Sequence, residues 1–268
     1  MSVATVLGFL FGIGLFIGSI VLSTDHYLVF LEGAGFIMVI GGTLAATFVA
    51  FEPLYVINAL RLMVSIFFQQ KTGRAILTGE VGRMIRWGYM VQKAGLPALE
   101  TDARRLRQHD RFMAFGIDLV ISGYSGQEVR DILSNTVETT FQRNTVPADI
   151  IRSMANNAPA FGMIATLVGL VIMLDHMGGD PSKIGPGMAV GLLGTLYGVT
   201  FARIILLPTA SKIQQREEIT RFRNFLVAEG LALLAERRSP RYIQDKMNSF
   251  LDPVLHFEID RMLHRGGA

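Results

Sequence analysis

The chain has 268 residues, half of them apolar, and a formal net charge of +3. Apolar residues in that proportion, gathered into long runs, exclude an ordinary soluble domain and point to a membrane protein. Cysteine is absent, which excludes disulfides and thiolate metal sites.

Four runs reach the roughly 20 residues that a helix needs to cross a bilayer. They are about Val3–Ser23, Leu28–Phe51, Ile150–Leu174 and Gly187–Leu207. In hydrocarbon, backbone N–H and C=O groups must be paired within the segment, so such runs read as helices. The first run has neither a basic leader nor an A-x-A cleavage site and is expected to be an anchor. Between the second and third runs, Val81–Gln92 and Leu96–His109 carry apolar residues at three- and four-residue spacing. So does Gln127–Phe141, with Val129, Ile132, Leu133, Val137 and Phe141 on one face. Gly95 and the Gly123–Gly126 stretch mark breaks. Ser125, followed three residues on by Glu128, has the spacing of a capping box. After the fourth run, Lys212–Arg237 is a long amphipathic pattern, Ser239-Pro240 ends it, and Pro253 opens a short final helix. No strand pattern stands out.

The expected fold is therefore all-α: a polytopic membrane protein with four transmembrane helices and a helical cytoplasmic domain. Its expected divisions are 1–51 (first helix pair), 52–149 (cytoplasmic helices), 150–210 (second pair) and 211–268 (C-terminal helices).

Lysine and arginine set the orientation. None precedes Arg61, thirteen fall between Glu52 and Arg152, and ten follow Pro208. The loop at Thr24–Tyr27 has none, and the loop between the third and fourth runs has only Lys183. The positive-inside rule puts both termini and the middle segment in the cytoplasm of a bacterial inner membrane.

Several chemistries have no support. There is no P-loop, G-x-G-x-x-G, H-E-x-x-H or G-x-S-x-G pattern. His26, His109, His176, His256 and His264 lack metal-ligand spacing. The basic residues are scattered along helices without an aromatic platform, which argues against nucleic-acid binding. No cofactor and no enzymatic activity are expected.

The membrane helices carry the informative residues. Small residues recur four apart at Gly8 and Gly12, Gly14 and Gly18, Gly187 and Gly191, and Gly194 and Gly198. Such faces let helices approach closely. On the first helix this reads as packing within one subunit, on the fourth as a surface for another subunit or a partner helix. Pro159 and Thr166 lie in the third run, Thr195, Arg203 and Pro208 in or just after the fourth. A lone membrane threonine bonds back to its own helix. Two at similar depth on adjacent helices are candidates for lining a polar path. Arg203, about one turn from the cytoplasmic end, is placed to snorkel. No membrane helix has a central carboxylate, so if ions pass, the titrating acid belongs to another polypeptide.

Three stretches resemble the MotA/PomA stator family: Pro159-Ala-Phe-Gly-Met-Ile-Ala-Thr-Leu-Val-Gly-Leu170, Ile184-Gly-Pro-Gly-Met-Ala-Val190 and Leu193-Gly-Thr-Leu-Tyr-Gly198. Gly116-Ile-Asp-Leu-Val120 with Gly123 and Val129-Arg130, Gly95-Leu-Pro-Ala-Leu-Glu100, and Glu32 followed by Val39-Ile-Gly-Gly-Thr43 are similar to the same family. The likeness runs from residue 3 to about 250. ExbB/TolQ proteins share the third and fourth helices but usually have one membrane helix before the large cytoplasmic segment, where this chain has two.

The resemblance implies a flagellar motor stator A subunit: five copies around two MotB/PomB-like B subunits, each supplying a membrane aspartate and a peptidoglycan-binding domain. The ring, embedded in membrane lipid, would turn as ions pass and push on the rotor protein FliG. By position, Pro159 and Pro208 match helix-kinking, gating prolines. Thr166 and Thr195 match ion-path threonines able to offer oxygen to Na⁺. Glu32 matches an acidic residue near the outer mouth that draws in cations. Glu100 matches a rotor-contacting glutamate. Gln92 stands where the family usually has arginine, and adjacent Lys93 is the candidate to carry part of that contact. Thr166 favours Na⁺ over H⁺; Gly194, where many sodium-type members have threonine, weakens that preference. The alternative the sequence allows is an ExbB/TolQ-like proton-driven motor energising envelope transport.

Overall fold

A computed structural model describes residues 3–66, 74–106, 108–177 and 184–258. Lys183 and His264 lie outside these residues, as does the end of the chain. Ten α-helices follow in order: α1 (Val3–Ser23), α2 (Gly33–Ala50), α3 (Pro53–Ser65), α4 (Arg74–Ala94), α5 (Glu100–Leu106), α6 (Arg111–Ile121), α7 (Gly126–His176), α8 (Ile184–Thr200), α9 (Leu207–Ala235) and α10 (Pro240–Asn248). Short 3₁₀ turns occupy Tyr27–Phe30, Leu96–Leu99 and Pro253–Leu255. No strand occurs among the described residues. Four helical stretches are long and apolar enough to cross a membrane: Val6–Ser23, Tyr27–Ala50, and segments of Gly126–His176 and Ile184–Ala235.

Local chemistry explains the boundaries. Glu32 caps α2, its carboxylate accepting from the Ala34 and Gly35 N–H groups. Pro53 opens α3, where a first-turn N–H has no helical partner to lose. Asp110 caps α6 through the Met113 N–H. The capping box at the start of α7 is formed. Ser125 N–H and Oγ donate to Glu128 at 2.8 Å each, and the Glu128 N–H returns to Ser125 Oγ at 3.3 Å. Those hydrogen bonds, the backbone one first, hold the Glu128 carboxyl below its ordinary pKa. Gly95 (φ +80°) and Gly123 (φ +84°) supply the left-handed conformations that break the chain where the sequence places breaks.

Three differences from the sequence reading stand out. The Gln127–Phe141 pattern and the third apolar run belong to one unbroken 51-residue helix, α7, which passes through both Pro147 and Pro159. Three helices were not expected: α3, α6 and α10, the last capped by Ser239. The fourth apolar run continues into α9 through a π-helical turn, Phe201–Leu206.

The chain divides into two compact units: Met1–Gln70 with Thr145–Gln215, and Lys71–Asn144 with Arg216–Ala268. In the first, Ala59, Ile150, Ile151, Met154, Ala202 and Leu206 form a buried core. There α2 packs along α8. On α1 Leu7, Leu10, Phe11, Leu15 and Leu22 are exposed.

In the second unit Met84, Ile85, Met113, Ile117, Leu133 and Leu231 are fully buried. A charged cluster sits beside that core. Arg223 donates to Glu80 at 3.0 and 2.5 Å and also to Asp110. Arg83 approaches Glu80 at 3.4 Å. The Arg223 pKa is raised: burial opposes the charge, but the hydrogen bond to Asp110 and the nearby Glu80 and Asp110 charges outweigh it.

Candidate functional site: paired hydroxyls between two membrane helices

Glycines let α7 and α8 touch backbone to backbone. A Cβ on Gly169 would lie 2.5 Å from the Gly187 carbonyl oxygen and 2.6 Å from the Gly191 nitrogen. A Cβ on Gly198 would lie 2.6 Å from the Ala158 oxygen and 3.2 Å from the Pro159 Cα. Neither neighbour can rotate away, because both are main chain. Close approach brings the side chains between these contacts into hydrogen-bond range.

Thr166 and Thr195 meet there, half-buried. Their hydroxyl oxygens lie 2.6 Å apart. Thr166 Oγ1 is 2.9 Å from the Gly191 carbonyl oxygen and 3.2 Å from that of Gly162, which also lies 3.3 Å from Thr195 Oγ1. Two hydroxyls hold two protons. One donates to the Gly191 carbonyl and the other spans the hydroxyl pair, so the four oxygens have more lone pairs than protons. A cluster of neutral oxygens short of donors is suited to a hard cation or a proton-carrying group. Between Asp149 and Asp175, α7 has no acidic residue, and α8 has none at all.

The two prolines flank this region differently. Pro159 lies inside α7, against Gly198 of α8. Pro208 is the second residue of α9, directly after the π turn. It has no N–H to donate to a residue four earlier. Just before it the ladder lengthens, with the Leu207 N–H donating to the Ala202 carbonyl. Arg203 is exposed within that turn.

Glu32 is committed elsewhere. Its carboxylate accepts from the Ala34 N–H at 2.9 Å and the Gly35 N–H at 2.5 Å. Its own N–H donates to the Tyr197 hydroxyl at 2.9 Å, which in turn donates to the Phe30 carbonyl at 2.5 Å. Tyr197 was not a sequence candidate. The one signal was a tyrosine, with a group that needs a partner, amid small and aliphatic residues.

Lys93 and Glu100 belong to the second unit. Lys93 is exposed in the last turn of α4, where a cation suits the helix dipole. Glu100 opens α5 and pairs with Arg104 at 2.7 Å, both exposed. The Gly95 turn and a 3₁₀ turn separate them. Gln92 lines a cavity of about 240 Å³ with Val91, Leu234, Arg237 and Arg238. A second, of about 410 Å³, is lined by Arg83, Arg86, Trp87, Asp102 and Arg105; there the Trp87 indole N–H donates to Asp102 at 2.7 Å.

Comparison with known proteins bears on all of this. Residues 105–223 match the MotA/TolQ/ExbB proton channel family. The chain is 30% identical over 252 residues to the chemotaxis protein PomA of Vibrio alginolyticus, covering 94% of this chain and 96% of that protein. It is 31% identical to motility protein A of Cereibacter sphaeroides, covering 94% and 96%. Its fold superposes on a chain of the Bacillus subtilis flagellar MotAB stator complex with a TM-score of 0.82 at 22% identity, covering 97% and 98%. A chain of Campylobacter jejuni MotAB gives 0.84 at 17% identity, covering 94% and 97%.

Proposed function

The chain belongs to the MotA/PomA branch of the MotA/TolQ/ExbB proton channel family, and from that premise we propose that it is the A subunit of an ion-driven flagellar stator. The observation that carries the proposal is the four-oxygen cluster of Thr166, Thr195 and the Gly162 and Gly191 carbonyls, with no carboxylate on α8 or on α7 between Asp149 and Asp175. It needs a partner's acid to become an ion relay. A MotB/PomB-like B subunit supplies that aspartate from its membrane helix. Five copies of this chain surround two such subunits in the bacterial inner membrane. The exposed apolar face of α1 suits contact with lipid or another chain. Both termini and the segment between the two helix pairs face the cytoplasm, as the lysine and arginine distribution favours.

Each ion that passes releases about 2.3 kcal/mol per 100 mV. Work leaves through the second unit, with exposed Lys93 and Glu100 meeting FliG. Pro159, against Gly198, and Pro208, beside the π turn, are where α7 and α9 bend as the B aspartate changes its load. Na⁺ is the coupling ion in this reading, because the Thr166 and Thr195 hydroxyls can offer it oxygen.

The test is swimming speed across external Na⁺ at fixed membrane potential, in a deletion strain with and without this gene. A flagellated but immotile deletion, restored to Na⁺-dependent speed, supports a sodium stator. Restored speed indifferent to Na⁺ makes it a proton stator. Normal swimming of the deletion without another stator present sinks the rotor role and leaves the envelope-motor reading. Thr166→Ala is expected to lower Na⁺-dependent speed; an unchanged Na⁺ curve would remove the ion from that hydroxyl.

A further inference from the structure

We propose that Tyr197 is a positioning residue that fastens the turn entering α2 to α8 and so fixes where the Glu32 carboxylate is held. The proposal rests on the stator reading for its consequence in ion use, but the fastening itself is structural.

The hydroxyl of Tyr197 does two things at once. It accepts from the Glu32 N–H at 2.9 Å and donates to the Phe30 carbonyl at 2.5 Å. Its single proton and an acceptor lone pair are thereby used. The two backbone groups it satisfies have no helical partner, since Phe30 closes the 3₁₀ turn and Glu32 is the N-cap of α2. In an apolar setting unpaired backbone groups are costly, so this side chain makes the turn's conformation tenable. The ring also stands edge-on to Phe36, centroids 5.9 Å apart with planes at 79°. Below it α2 and α8 touch: a Cβ on Gly35 would lie 3.2 Å from the Val190 oxygen and 3.3 Å from the Gly194 nitrogen.

Within that frame the Glu32 carboxylate is anchored on the Ala34 and Gly35 N–H groups. The charge therefore sits at the start of α2, at a height set by Tyr197. Tyr197 also lies two residues beyond Thr195, about 200° further around α8. One side of α8 offers a hydroxyl to Thr166 of α7, and the other offers the phenol to α2. A shift of α8 that disturbs the threonine pair must pull on the turn holding Glu32. Tyr197 thus couples the oxygen cluster to the acidic residue, through the Glu32 backbone N–H and not through its carboxylate.

The test is Tyr197→Phe, which keeps the ring against Phe36 and removes only the hydroxyl, with two readouts. The first is amide hydrogen exchange in the membrane-embedded protein. Exchange at Glu32, Ala34 and Gly35 is expected to rise, with Thr43 and Thr47 as unaffected references. The second is the ion dependence of swimming speed in complemented cells. The half-saturating ion concentration is expected to rise about fivefold, the worth of one hydrogen bond, at unchanged top speed and membrane level. Glu32→Gln alone, and combined with Tyr197→Phe, is expected to give the same shift once and not twice. Unchanged exchange overturns the fastening. Raised exchange with an unmoved ion curve, or an equal loss of speed at every ion concentration, overturns the positioning role. If even the wild-type gene restores no motility, the stator reading fails while the exchange result still decides the fastening. Should Tyr197→Phe fail to accumulate, 3-fluorotyrosine at 197, whose hydroxyl accepts more weakly, is expected to raise exchange at the Glu32 amide it receives; unchanged exchange there overturns the fastening.

Discussion

Arg237 adopts φ +53°, and among the described residues it is the non-glycine residue with positive φ. It closes α9 as the left-handed residue of a Schellman motif. Its N–H donates to the Leu234 carbonyl at 2.9 Å, and the Arg238 N–H donates to Leu233 at 3.1 Å. That position ordinarily holds glycine, because a Cβ there crowds the following carbonyl. Arg237→Gly is expected to stabilise the protein by about 1 kcal/mol, measured as a higher melting temperature in detergent. A second residue whose side chain does not match its surroundings is Thr43, fully buried in α2 with no partner for its hydroxyl among the described residues. Thr47, one turn on, donates to the Thr43 carbonyl at 2.7 Å and is satisfied. Thr43→Val should therefore be neutral or stabilising, by at most about 1 kcal/mol, whereas most polar-to-apolar changes at a bonded site cost about that much. A clear loss of stability would mean that Thr43 has a partner in the assembled complex.

At the scale of the element, two helix features make opposite demands on their residues. The start of α7 depends on charge. Glu128 binds Ser125 in its ionised form, and its pKa is lowered in the folded state. The sign follows from linkage: the contribution is present above the carboxyl's unfolded pKa and disappears as pH falls through the lower folded value. Thermal stability is expected to dip below about pH 4, and Glu128→Gln to shrink that dip; an identical pH profile in the variant would discount the cap. The middle of α7 depends on the absence of a side chain. At Gly169 a methyl group would meet the Gly187 oxygen and the Gly191 backbone at under 3 Å. Main chain cannot swing aside as a leucine tip can, so Gly169→Ala must push α8 away. The Thr166–Thr195 hydroxyl contact should open with it. Loss of ion-dependent motility with the protein still in the membrane is the expected outcome; full function would show that the contact tolerates the separation.

Considered as a molecule, the chain joins two bodies of different physics. One has an apolar exterior, close glycine contacts and few charges inside. The other has an apolar core with a charged cluster at its edge. Arg223 is central to that cluster, its side chain only 16% exposed and shared by Glu80 and Asp110. Removing it leaves two carboxylates facing each other, one of them 5% exposed. Breaking such a buried arrangement by deleting one partner costs about 3–5 kcal/mol. Arg223→Ala is expected to lower the melting temperature and raise amide exchange in α4, α6 and the later part of α9. Exchange limited to the loops would mean that water replaces the guanidinium at little cost.

Much of this architecture was legible in the amino-acid order, and the illegible part has a common cause. Runs of apolar residues announce membrane helices, because unpaired backbone cannot remain in hydrocarbon. The glycines at 95 and 123 and the Ser125–Glu128 pair announce breaks and a cap, because each acts over fewer than five residues. The absence of a membrane carboxylate beside Thr166 and Thr195 is likewise a property of the sequence. Tertiary structure decided what depends on a neighbour far along the chain. It runs α7 unbroken through Pro147 and Pro159, supported by packing rather than by propensity. It forms α6 and α10, whose apolar faces are short and need the core of the second unit to define them. It also commits the Glu32 carboxylate to a helix N-terminus and sets Tyr197 across from it, 165 residues away. Local signals act through bonds and solvent alone and can be read in order; a hydrogen bond between distant residues exists only once two helices have packed.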